Sequence, residues 1–251
     1  TVVGLPDGGP ESLVGPDGSW EATSSSPVVS AWIVDNGQVA RRASQALSLA
    51  DGHLPLVTST WQAGGVDGSG LLWQEPGSVQ WQLRVRNTGP ARTITLAAAL
   101  RPYQVQPGIA PLHSVSVSGD TVLADGQPAL RFADRPSRVL ASTGELGDVS
   151  LLAGSSTDAA FTAADDGAGL ASLALVYDLR LDRGADKVLS FAAPTAGGMP
   201  ALVNNDSRML ARWRDVLRPG AIDVPDKRVT DAYTASLAYI LMSNDGGVLH
   251  P

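Results

Sequence analysis

The sequence predicts a mainly β protein, a large antiparallel β-sandwich followed by two C-terminal α-helices, and three observations predict it. From about residue 28 to residue 194, short apolar or alternating runs recur between Gly, Pro, Asn or Asp at intervals of roughly eight to twelve residues, the spacing of strands in a sandwich. After the Gly- and Pro-dense stretch Pro194-Thr195-Ala196-Gly197-Gly198-Met199-Pro200, the hydrophobic period changes from that of a strand to that of a helix. Finally, 251 residues with 43% apolar side chains can bury a core unaided, and there is no cysteine to staple one.

Taken in order, residues 1–23 carry two Pro-Asp-Gly turns, Pro6-Asp7-Gly8 and Pro16-Asp17-Gly18, and show no strong strand pattern; they fit an edge hairpin or a linker. Residues 28–34 read as a strand closed by Asp35-Asn36-Gly37, a type I′ signal because Asn and Gly tolerate positive φ. Residues 54–62 and 71–74 flank the Gly-rich Gly64-Gly65-Val66-Asp67-Gly68 as another hairpin. Val79, Trp81, Leu83 and Val85 alternate with Gln80, Gln82, Arg84 and Arg86, which puts the apolar set on one face of a strand. That strand ends at Asn87-Thr88-Gly89-Pro90, and residues 92–100 repeat the alternation, so the two are expected to form a hairpin with matched inner sides. Further strands are expected at 113–117, 121–123, 129–132, 138–141, 149–153, 170–181 and 187–192, with turns at Asp165-Asp166-Gly167 and Asp182-Arg183-Gly184.

Past the linker, Asn205 or Asp206 can cap a helix with the stripe Met209, Leu210, Trp213, Val216 and Leu217, stopped by Arg218-Pro219-Gly220. A second helix starts near Pro225-Asp226 and runs along Val229, Tyr233, Leu237, Ile240 and Leu241 toward Gly246-Gly247. Two amphipathic helices with no third layer to cover them lead us to expect further polypeptide past Pro251.

Composition removes several functions. A net charge of −7 and no basic run longer than Arg41-Arg42 argue against nucleic acid or an anionic membrane as the main partner and favour a neutral or polar ligand. No stretch approaches the roughly 18 apolar residues of a membrane span. Without cysteine there is no thiolate zinc site, and His53, His113 and His250 are too dispersed for a histidine-built metal site. GxSxG, P-loop, GxGxxG and DxDxDG patterns are absent, so no cofactor or metal is expected.

The candidate site residues are polar or aromatic. Trp20, Trp32, Trp61, Trp73, Trp81 and Trp213 are six of thirteen aromatic residues, and indole faces stack on sugars. Trp81 and Trp213 fall on apolar stripes and read as core, whereas Trp61 and Trp73 flank the Gly-rich turn and can face a ligand. Arg101-Pro102-Tyr103-Gln104-Val105-Gln106-Pro107 gathers a guanidinium, a phenol and two amides in one proline-framed loop, groups that hydrogen-bond hydroxyls. Asp245 and His250 follow the second helix, where the plainer reading is a helix C-cap and a solvated end.

At Arg212-Trp213, Val224-Pro225-Asp226 and Ala238-Tyr239-Ile240-Leu241-Met242-Ser243-Asn244-Asp245-Gly246-Gly247, the chain resembles the junction of bacterial six-hairpin, (α/α)6-toroid glycoside hydrolases. A weaker likeness covers Arg84 to Asn87, Leu100 to Pro107, and Leu54 to Thr58 with Trp61. The resemblance implies a β super-sandwich domain at 1–196, then a linker helix and the first helix of a helical barrel at 197–251. It implies an oligo- or polysaccharide substrate, hydrolysed by a carboxylic acid and a carboxylate base flanking the sugar. In such enzymes both carboxyls lie on the barrel, past residue 251, so no catalytic residue is assigned here. The barrel of the same protein is then the expected partner, in a secreted or cell-surface setting. Phosphorolysis fits the same domain order; a polysaccharide lyase fits it less well, because in the lyases the toroid comes before the sandwich, whereas here the strands come first. The alternative of a different class is a stand-alone carbohydrate-binding or cell-surface module whose helices fold back on its own sheet.

Overall fold

The structure, a computed structural model, describes residues 1–152, 161–222, 224–245 and 248–249. In chain order the first strands are β1 (Val2–Val3), β2 (Ser12–Val14), β3 (Trp20–Glu21), β4 (Val28–Asp35), β5 (Gln38–Val39) and β6 (Arg42–Ala50). They are followed by β7 (Leu54–Ala63), β8 (Val66–Glu75), β9 (Ser78–Asn87), β10 (Arg92–Arg101), β11 (Ser114–Ser118), β12 (Thr121–Ala124), β13 (Gln127–Phe132) and β14 (Arg138–Ser142). Then come the short helix α1 (Val149–Leu152), β15 (Ala163–Asp165), β16 (Ser172–Leu181), β17 (Asp186–Pro194), α2 (Ser207–Leu217), α3 (Lys227–Met242) and a small ladder of β18 (Asn244–Asp245) with β19 (Val248–Leu249).

Two antiparallel sheets face each other. One runs β1-β2-β3-β4-β10-β16-β14, with β5 on β4; the other runs β15-β11-β12-β13-β17-β9-β8-β7-β6. Alternation decides what each strand buries: Val79, Trp81, Leu83 and Val85 point inward to meet Ile94, Leu96, Ala98 and Leu100 from the opposite sheet. An aromatic row crosses this core, with ring centroids 5.7 Å apart for Trp20 and Trp81, 5.1 Å for Trp81 and Phe191, and 6.2 Å for Phe191 and Tyr177. The expected type I′ turn at Asn36-Gly37 is present, with φ of 49° and 75°.

Several expectations need correction. β9 and β10 are not a hairpin: β9 pairs with β8 and β17, while β10 pairs with β4 and β16. The matched alternation is satisfied across the core instead of along a ladder. The crossing is fixed by the buried Asn87, whose amide donates to the carbonyls of Pro90 at 2.7 Å and Leu181 at 3.1 Å. The turn at 182–184 likewise joins strands of different sheets. Residues 149–152 form a helix, because Asp148 caps it, accepting the Ser150 amide at 2.9 Å. In the N-terminal stretch β1 to β3 extend the first sheet; β6, an edge strand of the second sheet that the sequence reading left out, half-buries Leu47 and Leu49 against the core and leaves Ala46 and Ser48 exposed.

Helices cover part of each outer face. α1 lies on Ala97, Ala99 and Ala174, whose small side chains let it approach, and buries Val149 there. α2 and α3 lie on the second sheet, where Leu54, Leu56 and Trp73 meet Met209, Trp213, Leu217, Ala238 and Met242. The linker ahead of α2 is strapped to β9: the Gln80 amide donates to the Ala201 carbonyl at 2.8 Å and accepts the Val203 N–H at 2.9 Å.

Candidate functional site

The loop after β10 folds back as a small hairpin, with the Ala110 N–H on the Pro102 carbonyl at 3.2 Å and Tyr103 bridged to Ile109. Arg101, half-buried at its base, lies 4.8 Å from the Tyr103 ring and 5.9 Å from the Trp32 ring. Its Nε donates to Asp148 at 2.8 Å. Burial works to raise the Asp148 carboxyl, but the hydrogen bonds from Arg101 and Ser150 outweigh it and hold that carboxyl below its ordinary range. Arg101 therefore ties the cap of α1 to the sheet. Tyr103 remains exposed, and Gln104 donates to the Ser24 carbonyl at 2.6 Å. Beside this loop Glu21 is buried; its carboxylate accepts the Val105 N–H at 3.1 Å, and burial pushes its pKa up against that bond.

Neither flanking tryptophan presents a face to solvent. Trp73 is 0% exposed and forms the floor under α2 and α3, its Nε1 donating to Glu75 at 3.2 Å. Trp61 is 4% exposed on the inner side of β7, where it lies flat on Gly68 of β8 and under the guanidinium of Arg42, 5.2 Å from the ring centroid. A Cβ at position 68 would fall inside the Trp61 ring, which is why β8 carries glycine there. Trp81 and Trp213 are core residues, as their stripes predict. Asp245 contributes its backbone to the β18 ladder, and His250 lies outside the described residues. The predicted residues thus divide: Arg101, Tyr103 and Gln104 share one loop, while Trp61 and Trp73 stand on opposite faces of the second sheet.

The outer face of that sheet is itself divided. Its apolar half lies under the helices. Its other half is open and polar, with Thr60, Gln62, Asp67, Ser69, Arg84, Arg86 and Asp186 bordering a shallow groove of about 430 Å³. Arg84 pairs with Asp186 at 3.4 Å, the Gln62 amide donates to Asp67 at 2.9 Å, and Arg86 donates to the Gly184 carbonyl at 3.2 Å.

What the sequence pattern did not show is how firmly the helices are fastened. Arg214 of α2 donates through Nε and Nη2 to Asp51 at 2.9 and 2.7 Å, Arg212 pairs with Asp7 at 2.8 Å, and Arg208 pairs with the buried Glu75. From α3, Asp231 meets His53 at 3.1 Å and Tyr239 meets Thr1 at 3.1 Å. The signal available was the run of arginines on α2 in an otherwise acidic chain. The far side of α3 is bare: Val229, Tyr233 and Ile240 are 52%, 39% and 50% exposed, spaced along one face of the helix. A groove of about 560 Å³ runs over Val229, Ala232, Tyr233 and Ser236.

No protein-family model and no curated protein sequence matches this chain. Among solved structures it is similar to a bacterial glucoamylase in complex with acarbose, at 7% sequence identity and a TM-score of 0.62. The match covers 96% of this chain and 40% of that one. The chain therefore shares its fold, a β-sandwich with the helices that follow it, with about two fifths of that enzyme.

Proposed function

We propose that this chain is the non-catalytic β-sandwich portion of a carbohydrate-active enzyme, a glycoside hydrolase acting on an oligo- or polysaccharide. In this reading residues 1–196 are the sandwich domain, and residues 197–251 are the linker helix and the first helix of a barrel domain that supplies both catalytic carboxyls. The observation that carries it is a likeness to a glucoamylase that takes in 96% of the chain, and so must extend over helices as well as sheets. The exposed apolar stripe on α3 supports it too, because a helical domain is the kind of neighbour that such a stripe accepts.

The sandwich then serves as a rigid base. General acid and base must flank the sugar at a fixed separation, so the helices bearing them need a foundation that does not shift. In the loop after β10, Tyr103 presents an exposed phenol suited to hydroxyls. The test is to assay residues 1–251 beside the polypeptide read from the same gene through any following helical region, on α- and β-linked oligosaccharides. Hydrolysis by the longer protein alone is expected. A gene that stops at Pro251, with glycan binding by the isolated chain, would establish the stand-alone binding module instead.

A further inference from the structure

Helices cover part of the outside of the sandwich, but at one edge its interior is reached directly. β14 is the last strand of the first sheet, and opposite it lie β11 and β13 of the second. Between them is a cavity of about 650 Å³, a size that takes a small organic ligand. Its floor is Val117, Phe132 and Val139, all on the inward rows of their strands. Phe132 is buried and the two valines are half-buried, so the apolar core itself continues up to the cavity. The walls are fixed before any ligand arrives. On one side the turn at Gly119-Asp120 is tied down by the Phe132 N–H, which donates to the Asp120 carbonyl at 2.9 Å. On the other, the crossing segment 133–137 is held to β16: the Ser137 N–H donates to the Val176 carbonyl at 2.8 Å, and the Ser137 Oγ accepts the Asp178 N–H at 2.9 Å.

The mouth is cationic, in a chain whose net charge is −7. Arg135 and Arg138 border it. The acids nearby already have bases: Asp120 on the rim is paired with Arg131 at 2.9 Å, Asp134 with Lys187 at 2.5 Å, and Asp178 with Arg138 at 3.8 Å. Arg135 is exposed and has no ion pair among the described residues, so one guanidinium is left over beside an apolar floor. Its fork of N–H groups matches a carboxylate, and a doubly charged head would have to sit close to Asp120. We propose that this cavity binds a small amphipathic carboxylate, its medium-chain alkyl body on Val117, Phe132 and Val139 and its head on Arg135, with Arg138 beside it. The wall bonds leave little to be ordered on binding, and the body removes from water the part of the core that the parting sheets leave uncovered. Such a site is separate from any carbohydrate and is present whether or not the chain belongs to a glycosidase.

Titration calorimetry of residues 1–251 with butanoate, hexanoate and octanoate tests the site. Affinity should rise about three- to fourfold per methylene, the worth of a buried CH₂. Octanol, which keeps the body and lacks the charge, should bind at least about fivefold more weakly than octanoate. Arg135→Gln should weaken octanoate about five- to twentyfold, and its exposed, unpaired side chain makes the fold indifferent to the change. Arg183→Gln, the same loss of charge on the exposed turn after β16, should leave the affinity unaltered. Amide chemical-shift changes with octanoate should gather at residues 117–120 and 132–139. No saturable binding of octanoate, equal affinity for octanol, an affinity that Arg135→Gln does not change, or shifts that gather elsewhere each overturns the proposal.

Discussion

Single positions in this sandwich are decided by what lies directly across the strand. Gly68 is glycine because Trp61 covers it, so Gly68→Ala should cost about 1–3 kcal/mol in urea unfolding, the penalty for overpacking. Adding Trp61→Leu to that background should recover part of the loss, giving a double-mutant cycle with clear coupling. Glu21 tests a different effect. Burial raises its pKa, so the folded state pays for the charged form as pH rises through that raised value, and the stability is greatest below the carboxyl's unfolded range. Glu21→Gln keeps an acceptor for the Val105 N–H and removes the charge. Its Tm should exceed that of the unsubstituted chain by roughly 1–3 °C at pH 7, the gap closing toward pH 4. Sequence reading at this scale worked where one side chain determines its own environment, as with Trp81 on its alternating strand. It did not foresee Trp61 and Trp73 being covered, because what covers them, Arg42 and the α2 helix, is set by tertiary packing.

At the scale of elements, period was the legible quantity and partner was not. The alternation in 79–85 and 92–100 correctly marks two inner faces, yet the same alternation serves a ladder neighbour and a neighbour across the core equally well. Weakly patterned edges fared worse: β6 only half-buries Gln45, Leu47 and Leu49 and exposes the residues between them, so its alternation is faint in the sequence. The helices were legible as amphipathic, and each stripe is split in practice. On α2, Met209, Trp213 and Leu217 are buried while Val216 is exposed. On α3 the sheet takes Ala238 and Met242, leaving Val229, Tyr233 and Ile240 outward. Two substitutions separate these roles. Trp213→Ala should cost about 3–5 kcal/mol and speed amide exchange in both helices before it reaches β9. Ile240→Ser should stay within about 0.5 kcal/mol of the parent in this chain.

For the whole molecule, the second of those substitutions is the informative one. If a helical domain packs on α3, Ile240→Ser is expected to lower the thermal stability of the longer polypeptide and its hydrolytic activity together, while residues 1–251 alone hardly change. Differential scanning calorimetry on both lengths reads this directly. The general class, a sandwich followed by helices, was available from composition and period because both are properties of the entire chain. The loop of Arg101, Tyr103 and Gln104 was legible as a unit because those residues are neighbours in sequence. The salt-bridged joint was not, since Asp7, Asp51 and Glu75 are distant from α2 in sequence and close to it only once both sheets exist.

The crossing at Asn87 also sets an order of assembly. β6 to β9 are consecutive hairpins and can zip as the chain emerges from the ribosome, whereas β4 must wait for β10, and β10 for β16, which is complete only at Leu181. Until Arg101 is made the edge of β4 stands open, and from there to Leu181 the edge of β10 does, so slow synthesis across either interval should leave more newborn protein exposed to aggregation.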